Sequence, residues 1–387
     1  MTGRIHSIDS LRAFAMTMVI AQHCGLLPFG WTGVWLFYVI SGFVISRNLI
    51  AERAMLKVAP LAHYFSFVIR RLFRIVPPYV AYIGMCLIVI SLIRLDNQFH
   101  EIPYLASFSY NWRMIFSSEP QFVAFGHLWT ISVEEQFYVL FPILILLLRR
   151  DRAIVGLIAI ICAAPVLRNL MSEQMAAHSW DPGRIAFGIY ASSFGQFDAF
   201  AAGALLAHFE GKIQGNPPIA KWIASVAVLF AIAYFATYVV INIAYGAQGV
   251  DVIRNIISGI LYGEKREVLA YIVMDLLAVA ILAGAIVGWK AFKVIEHPTL
   301  VAVGQASYGG YLLHALVLLL LGEAISWVPG QEPILARIVF FVVAWCCTVA
   351  LARISYSMCE RKIIRFGHKV SQRVLLKSNE LAVDAPI

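Results

Sequence analysis

The chain has 387 residues, of which 61% are hydrophobic and only 13% charged, against roughly 45–50% and about 25% in an ordinary soluble protein. With a mean hydropathy of +0.79 and no low-complexity tract, this composition excludes a water-soluble globular domain, a disordered chain and a protein held by a single anchor. A formal net charge of +8 would suit a nucleic-acid binder, but a polytopic membrane protein gathers Lys and Arg at its cytoplasmic ends, and no nucleic-acid partner is expected.

The first apolar run covers residues 9 to 28. Arg4 precedes it as in a signal peptide, yet Arg12 interrupts its start and no small-residue cleavage site follows, so it is read as a retained helix. Arg12 and His23 lie eleven positions apart, which at roughly 100° and 1.5 Å per residue puts them on nearly one face, about 16 Å apart along the axis. Two readings stand. In one, Arg12 snorkels to the surface beside Asp9 and His23 is a hydrogen-bonded end residue. In the other, Arg12 holds the charged end of a long anionic ligand whose reactive end reaches His23, a side chain suited to general-base work.

The second run, 32 to 50, contains Ser41-Gly42-Phe43. Ser41 is a nucleophile candidate, although small residues more commonly serve close helix packing. The third, 75 to 94, follows Arg70-Arg71-Leu72-Phe73-Arg74. This cluster reads either as an anchor for anionic lipid or as a phosphate site, since guanidinium forks match phosphate oxygens and Arg71 and Arg74 stand at i,i+3. The fourth, 127 to 148, opens His127-Leu128-Trp129-Thr130-Ile131-Ser132-Val133-Glu134-Glu135-Gln136-Phe137-Tyr138. Carboxylates one to two turns inside a bilayer are costly unless paired or facing a wet cavity. His127 and Glu134 share a face, so Glu134 is the better site candidate, with a structural polar knot as the equal alternative.

Further spans are expected at 153–171, 186–208, 219–243, 268–289, 305–326 and 334–356, about ten in all. His314, in the ninth, is read as a buried hydrogen-bond partner or a member of a cavity. The expected fold is an all-α polytopic membrane bundle over residues 1–360, followed by a basic cytoplasmic tail over 361–387. With the N-terminus inside, 22 of the 30 basic residues fall on the cytoplasmic side, so both termini are expected to be cytoplasmic. The longer, aromatic-bearing connections around 95–126, 172–185 and 244–267 then face outward. No inverted or parallel repeat relates two halves, which weakens a secondary-transporter reading. The six cysteines show no CxxC or Cys/His ligand spacing, and His23, His127, His314 and Glu134 have no local metal-ligand spacing, so no disulfide scaffold and no metal are expected.

Taken in order, these segments resemble the acyltransferase-3 family of integral membrane O-acyltransferases. Ile8-Asp9-Ser10-Leu11-Arg12-Ala13 is similar to the family's L-D-G-L-R-G start, followed by its Arg-x10-His spacing ending at His23. Trp35 to Phe43 resembles F-F-V-L-S-G-F, Arg70 to Pro77 resembles R-R-x-x-R-I-x-P, and His127 to Tyr138 is close to H-L-W-S-L-S-V-E-E-Q-F-Y. Phe197 to Leu206, Ser307 to His314 and Tyr356 to Arg361 resemble later family segments. Ser10 and Ala13 replace two glycines, and Lys362 replaces a proline.

The resemblance implies an enzyme with no permanently bound cofactor, in the plasma membrane (a bacterial inner membrane), among membrane lipids. It implies that acyl-coenzyme A, acetyl-coenzyme A foremost, donates to a hydroxyl of an extracytoplasmic glycan or lipid-linked glycan. Arg70, Arg71, Arg74 and Arg12 would hold the donor, His23 would act as base with Glu134 and Arg12 beside it, and His127, Trp129, Ser41 and His314 would line the substrate path. No hydrolase-like domain is appended, so the acceptor is expected to be handled by the membrane domain or by a partner. A transporter of acyl groups or acylated glycan would explain the helices but not the ordered blocks, and His23 and Glu134 count against a non-catalytic export factor.

Overall fold

The computed structural model describes residues 5–55, 58–93, 96–117, 122–257, 264–325 and 332–383. Arg4, Lys57 and Arg94, which entered the charge count, lie outside the described residues. Within them the chain is helical and carries no strand, as hydrocarbon demands of a chain that must satisfy its own backbone groups. Eight helical stretches are long and apolar enough to cross a membrane, as a multi-pass membrane protein requires.

In chain order, α1 (His6–His23), α2 (Thr32–Met55) and α3 (Pro60–Leu92) are followed by two short helices, α4 (Ile102–Ala106) and α5 (Tyr110–Phe116). Then come α6 (Trp129–Leu147), α7 (Arg150–Ala177), α8 (Pro182–Ala191), α9 (Phe197–Gly215), α10 (Pro218–Ala244) and α11 (Asp251–Ile257). The remainder is α12 (Arg266–Ile286), α13 (Lys290–Ile295), α14 (Pro298–Gln305), α15 (Ser307–Ala324), α16 (Ile334–Ser355) and α17 (Arg361–Val383).

Three expectations change. The first helix is only 18 residues long and polar at both ends, and it is not among the eight apolar spans. The stretch expected at 186–208 is two helices, because the chain breaks over residues 192–196 between α8 and α9. Polar side chains take over the backbone bonds lost there. Gln196 donates to the Ile189 carbonyl at 2.9 Å, Asn111 to that of Ala191 at 3.1 Å, and Arg168 to that of Gly195 at 2.8 Å. Irregular backbone at membrane depth is tolerated where protein groups satisfy it in this way.

The third change concerns α3, which begins at Pro60 and has 33 residues. At about 1.5 Å per residue it is roughly 50 Å long, well beyond a bilayer core of about 30 Å. The arginine cluster therefore sits inside this helix and not ahead of it, just before Pro77 and Pro78. Apolar windows mark only the part of such a helix that suits lipid. Against its first half packs α17, where Phe366 meets Phe73 with ring centres 5.5 Å apart.

α2 and α9 pack backbone against backbone. A Cβ on Gly42 would stand 2.0 Å from the Phe200 carbonyl oxygen, and one on Gly203 would stand 2.0 Å from that of Val39. Backbones that touch need residues without side chains. Gly42→Ala is accordingly expected to force the two helices apart at a cost of about 1–3 kcal/mol and to lower the thermal midpoint in detergent. Gly84→Ala, where nothing lies within 4 Å of the added carbon, is the matched control and should leave the midpoint in place or raise it.

Candidate functional site

Two cavities of opposite character meet inside the bundle. The first, about 60 Å³, is enclosed by α1, α2, α3, α6 and α15, and three guanidiniums reach it, those of Arg12, Arg71 and Arg74. Glu134 is the carboxylate among its lining residues. It accepts a hydrogen bond from Tyr138 Oη at 2.8 Å, and Tyr138 in turn is hydrogen-bonded to Ser41. Arg71 lies over the Tyr138 ring, 5.0 Å from its centre, and Asp9 stands 4.0 Å from Arg12 on the cavity's flank. Arg74 makes no hydrogen bond or ion pair within the described residues. Guanidiniums gathered in excess over the carboxylate they face are an arrangement an anion completes.

Arg70 is placed elsewhere. It pairs with Glu52 at 3.0 Å and also bonds Ser66, while Glu52 holds His63 at 3.1 Å. A rotation of about 100° per residue turns it away from Arg71, and Arg71 with Arg74 is the pair that faces inward.

The second cavity is larger, about 780 Å³, and is walled by aromatic side chains including Trp31, Trp129 and Tyr190, with His23 and His127 on its surface. His23, the last residue of α1, is exposed to it and to an adjoining space of about 360 Å³. The expected substrate-path residues His127, Trp129 and His314 converge here. His314 lies between the other two imidazoles, with ring centres 5.4 Å from His23 and 4.8 Å from His127. Its Nδ1 is 2.5 Å from the Tyr311 carbonyl oxygen, so Nδ1 carries the proton and Nε2 presents a lone pair without a partner. Trp129 packs on Tyr190 at 4.7 Å. Among the described residues no group of three or more His, Cys, Asp or Glu is arranged to hold a metal ion.

Glu134 was expected beside His23, and the structure separates them. Glu134 follows His127 by seven residues, two helical turns or about 10 Å, and so it faces the arginines while His127 faces the histidines. The ring beside His23 belongs to His314.

Val34, Thr130 and Tyr311 line both cavities and are where they join. The Thr130 and Tyr311 hydroxyls are 2.8 Å apart, buried, with Thr130 Oγ1 donating to the His127 carbonyl at 2.9 Å. Neither residue was singled out from the sequence, although both fall within its quoted blocks. A tyrosine three places before a buried histidine on one helix is the signal that could have found Tyr311.

Behind the aromatic wall lies an ion pair. Arg168 Nη1 meets Asp198 Oδ2 at 2.7 Å with both side chains buried, and Asp275 hydrogen-bonds Asp198. The Arg168 guanidinium also rests on the Tyr271 ring at 5.1 Å, and Tyr271 stacks on Trp35 at 4.9 Å. The pair thus ties α7, α9 and α12 to the wall of the larger cavity.

Comparison with known proteins adds a family. The acyltransferase domain of the acyltransferase-3 family matches residues 5–353. The chain is 27% identical over 384 residues to "Putative O-acetyltransferase SACOL0978" of Staphylococcus aureus strain COL, covering 94% of this chain and 58% of that protein. It is 25% identical over 389 residues to O-acetyltransferase OatA of Staphylococcus aureus strain MRSA252, covering 97% of this chain and 60% of that one. The chain therefore spans about 60% of the length of curated relatives such as these. No solved structure matches it. The matched region runs from the residue before α1 into α16 and takes in every side chain that lines the two cavities, and the chain belongs to the acyltransferase-3 family.

Proposed function

We propose that the protein transfers an acyl group, acetyl foremost, from cytosolic acyl-coenzyme A to a hydroxyl of an extracytoplasmic glycan or lipid-linked glycan. The observation that carries this reading is the junction itself: an arginine-lined space and an aromatic, histidine-lined space, different in chemistry, open on the same two hydroxyls. The arginine end suits the donor's phosphates, with Arg71 and Arg74 as the forks and Arg12 further in. Both termini and the arginine end then face the cytosol, in a bacterial inner membrane. Aromatic faces at the other end suit the C–H faces of a sugar ring.

The chemistry needs one base and one relay of charge. His23 removes the proton of the acceptor hydroxyl as its oxygen attacks the thioester carbonyl carbon. The new C–O bond forms, the C–S bond breaks, and the departing thiolate takes up the proton, so the products are an ester and free coenzyme A thiol. His314, with its Nε2 lone pair turned into this cluster, is the group placed to steady the His23 imidazolium.

Purified protein in liposomes is expected to release thiol from acetyl-coenzyme A only when a glycan acceptor is present, with the acetyl group found on the acceptor by mass spectrometry. Solute flux without thiol release would assign a transporter instead. Arg71→Ala should raise the KM for acetyl-coenzyme A about tenfold or more, the loss of a charge-assisted contact of about 1.5–3 kcal/mol, with a smaller change in kcat. An unchanged KM would reduce Arg71 to a packing partner of Tyr138.

A further inference from the structure

We propose that Tyr311 is a catalytic residue, the hydrogen-bond donor that holds the oxyanion formed when the acceptor attacks the thioester; this rests on the acyl-transfer reading above. The two cavities fix where the reacting carbon must be. A group handed from the arginine-lined cavity to the histidine-lined one is shared, at the moment of transfer, between ligands in both, and the residues that line both are Val34, Thr130 and Tyr311. Val34 has no polar side-chain atom. The side-chain donors available at the crossing are therefore the hydroxyls of Thr130 and Tyr311.

Counting protons separates the two. A hydroxyl donates once, and Thr130 spends its proton on the carbonyl oxygen of His127 at 2.9 Å. In the 2.8 Å contact between the hydroxyls, Tyr311 is then the donor and Thr130 Oγ1 the acceptor. The alternative acceptor for Tyr311, the His127 carbonyl, is 3.5 Å away, too long to compete. Tyr311 Oη–H is thus a donor parked on a neutral oxygen, able to turn to a better acceptor without leaving a buried donor unmet.

The rest of Tyr311 is fixed. Its ring is wedged among Phe37, His127 and His314, at 6.0, 5.5 and 5.3 Å between centres, and its backbone carbonyl holds His314 Nδ1. The hydroxyl is accordingly preorganised, which is what makes an oxyanion donor effective in a site shielded from water. As negative charge gathers on the carbonyl oxygen, the Tyr311 proton bonds to it. It returns to Thr130 when the tetrahedral intermediate collapses and the C–S bond breaks. No proton is transferred from Tyr311, so the balance of the reaction is unaltered.

The test is steady-state kinetics on the reconstituted full chain with acetyl-coenzyme A and a glycan acceptor, wild type alongside Tyr311→Phe and Thr130→Val. Tyr311→Phe is expected to lower kcat about 10²–10³-fold, the usual effect of losing one such donor, with the KM for acetyl-coenzyme A within about twofold. Thr130→Val keeps the ring and its packing but leaves the hydroxyl unaimed, and should lower kcat about tenfold at unchanged KM; it decides alone if Tyr311→Phe is not recovered folded. A Tyr311→Phe protein with wild-type kcat, or one in which only KM moves, overturns the assignment and leaves acyl transfer standing. A wild type that releases no thiol overturns both.

Discussion

Replacing His23 by alanine will abolish acyl transfer while leaving the protein folded. His23 is the final residue of α1 and is exposed to two cavities, so its ring supports little packing. The ring is nonetheless the one imidazole of the three that an incoming hydroxyl meets first, since His127 and His314 are buried. A general base contributes about 10²–10⁴ to a rate, and a loss in that range, with the elution profile and thermal midpoint of the purified protein unchanged, is the expected result. Thiol release by His23→Ala at the wild-type rate would take His23 out of the mechanism.

The largest stability effect is expected at Arg168 and Asp198. Neither guanidinium nor carboxylate reaches solvent or lipid, and their contact is 2.7 Å. Asp198→Ala leaves a buried cation held by the Gly195 carbonyl and the face of Tyr271, with no carboxylate bonded to it among the described residues. Such a broken pair costs about 3–5 kcal/mol, whereas replacing both charges by apolar groups of similar volume costs far less. The single variant should therefore be poorly recovered or melt well below wild type in detergent. Arg168→Leu combined with Asp198→Leu should regain part of the loss, and an Asp198→Ala protein that melts with the wild type would show the pair to be dispensable.

What could be read from the chain alone, and what could not, follows from what spacing encodes. Spacing along one helix gives direction: Arg12 and His23 share a face of α1, and the structure has them lining the two cavities in turn. It does not give which neighbour a face meets. Glu134 was assigned to His23 as the carboxylate that orients a base, but the offset of two turns from His127 carried it to the arginines. Arg70, Arg71 and Arg74 look equivalent as letters. Only the packing of α3 against α6 decides that Arg71 and Arg74 turn inward and Arg70 meets Glu52. Hydropathy marked eight of the ten expected spans well. It was blind to the break between α8 and α9, since Asn111, Arg168 and Gln196 repair it with side-chain bonds no apolar window registers, and to the polar half of α3. Tyr311 escaped notice because a tyrosine in an apolar run reads as core, and its meaning lies in a hydroxyl partner on α6.

On this reading one path through the bundle joins a donor on one face of the membrane to an acceptor on the other. Sealed proteoliposomes with the protein inserted in one orientation, labelled acetyl-coenzyme A supplied only at the arginine end and a glycan acceptor enclosed at the histidine end decide it. The expected result is label on the enclosed acceptor, with free thiol appearing on the donor side in equal amount, and none of either with His23→Ala. Label on the acceptor only when both substrates share one compartment would show that no path crosses the bundle.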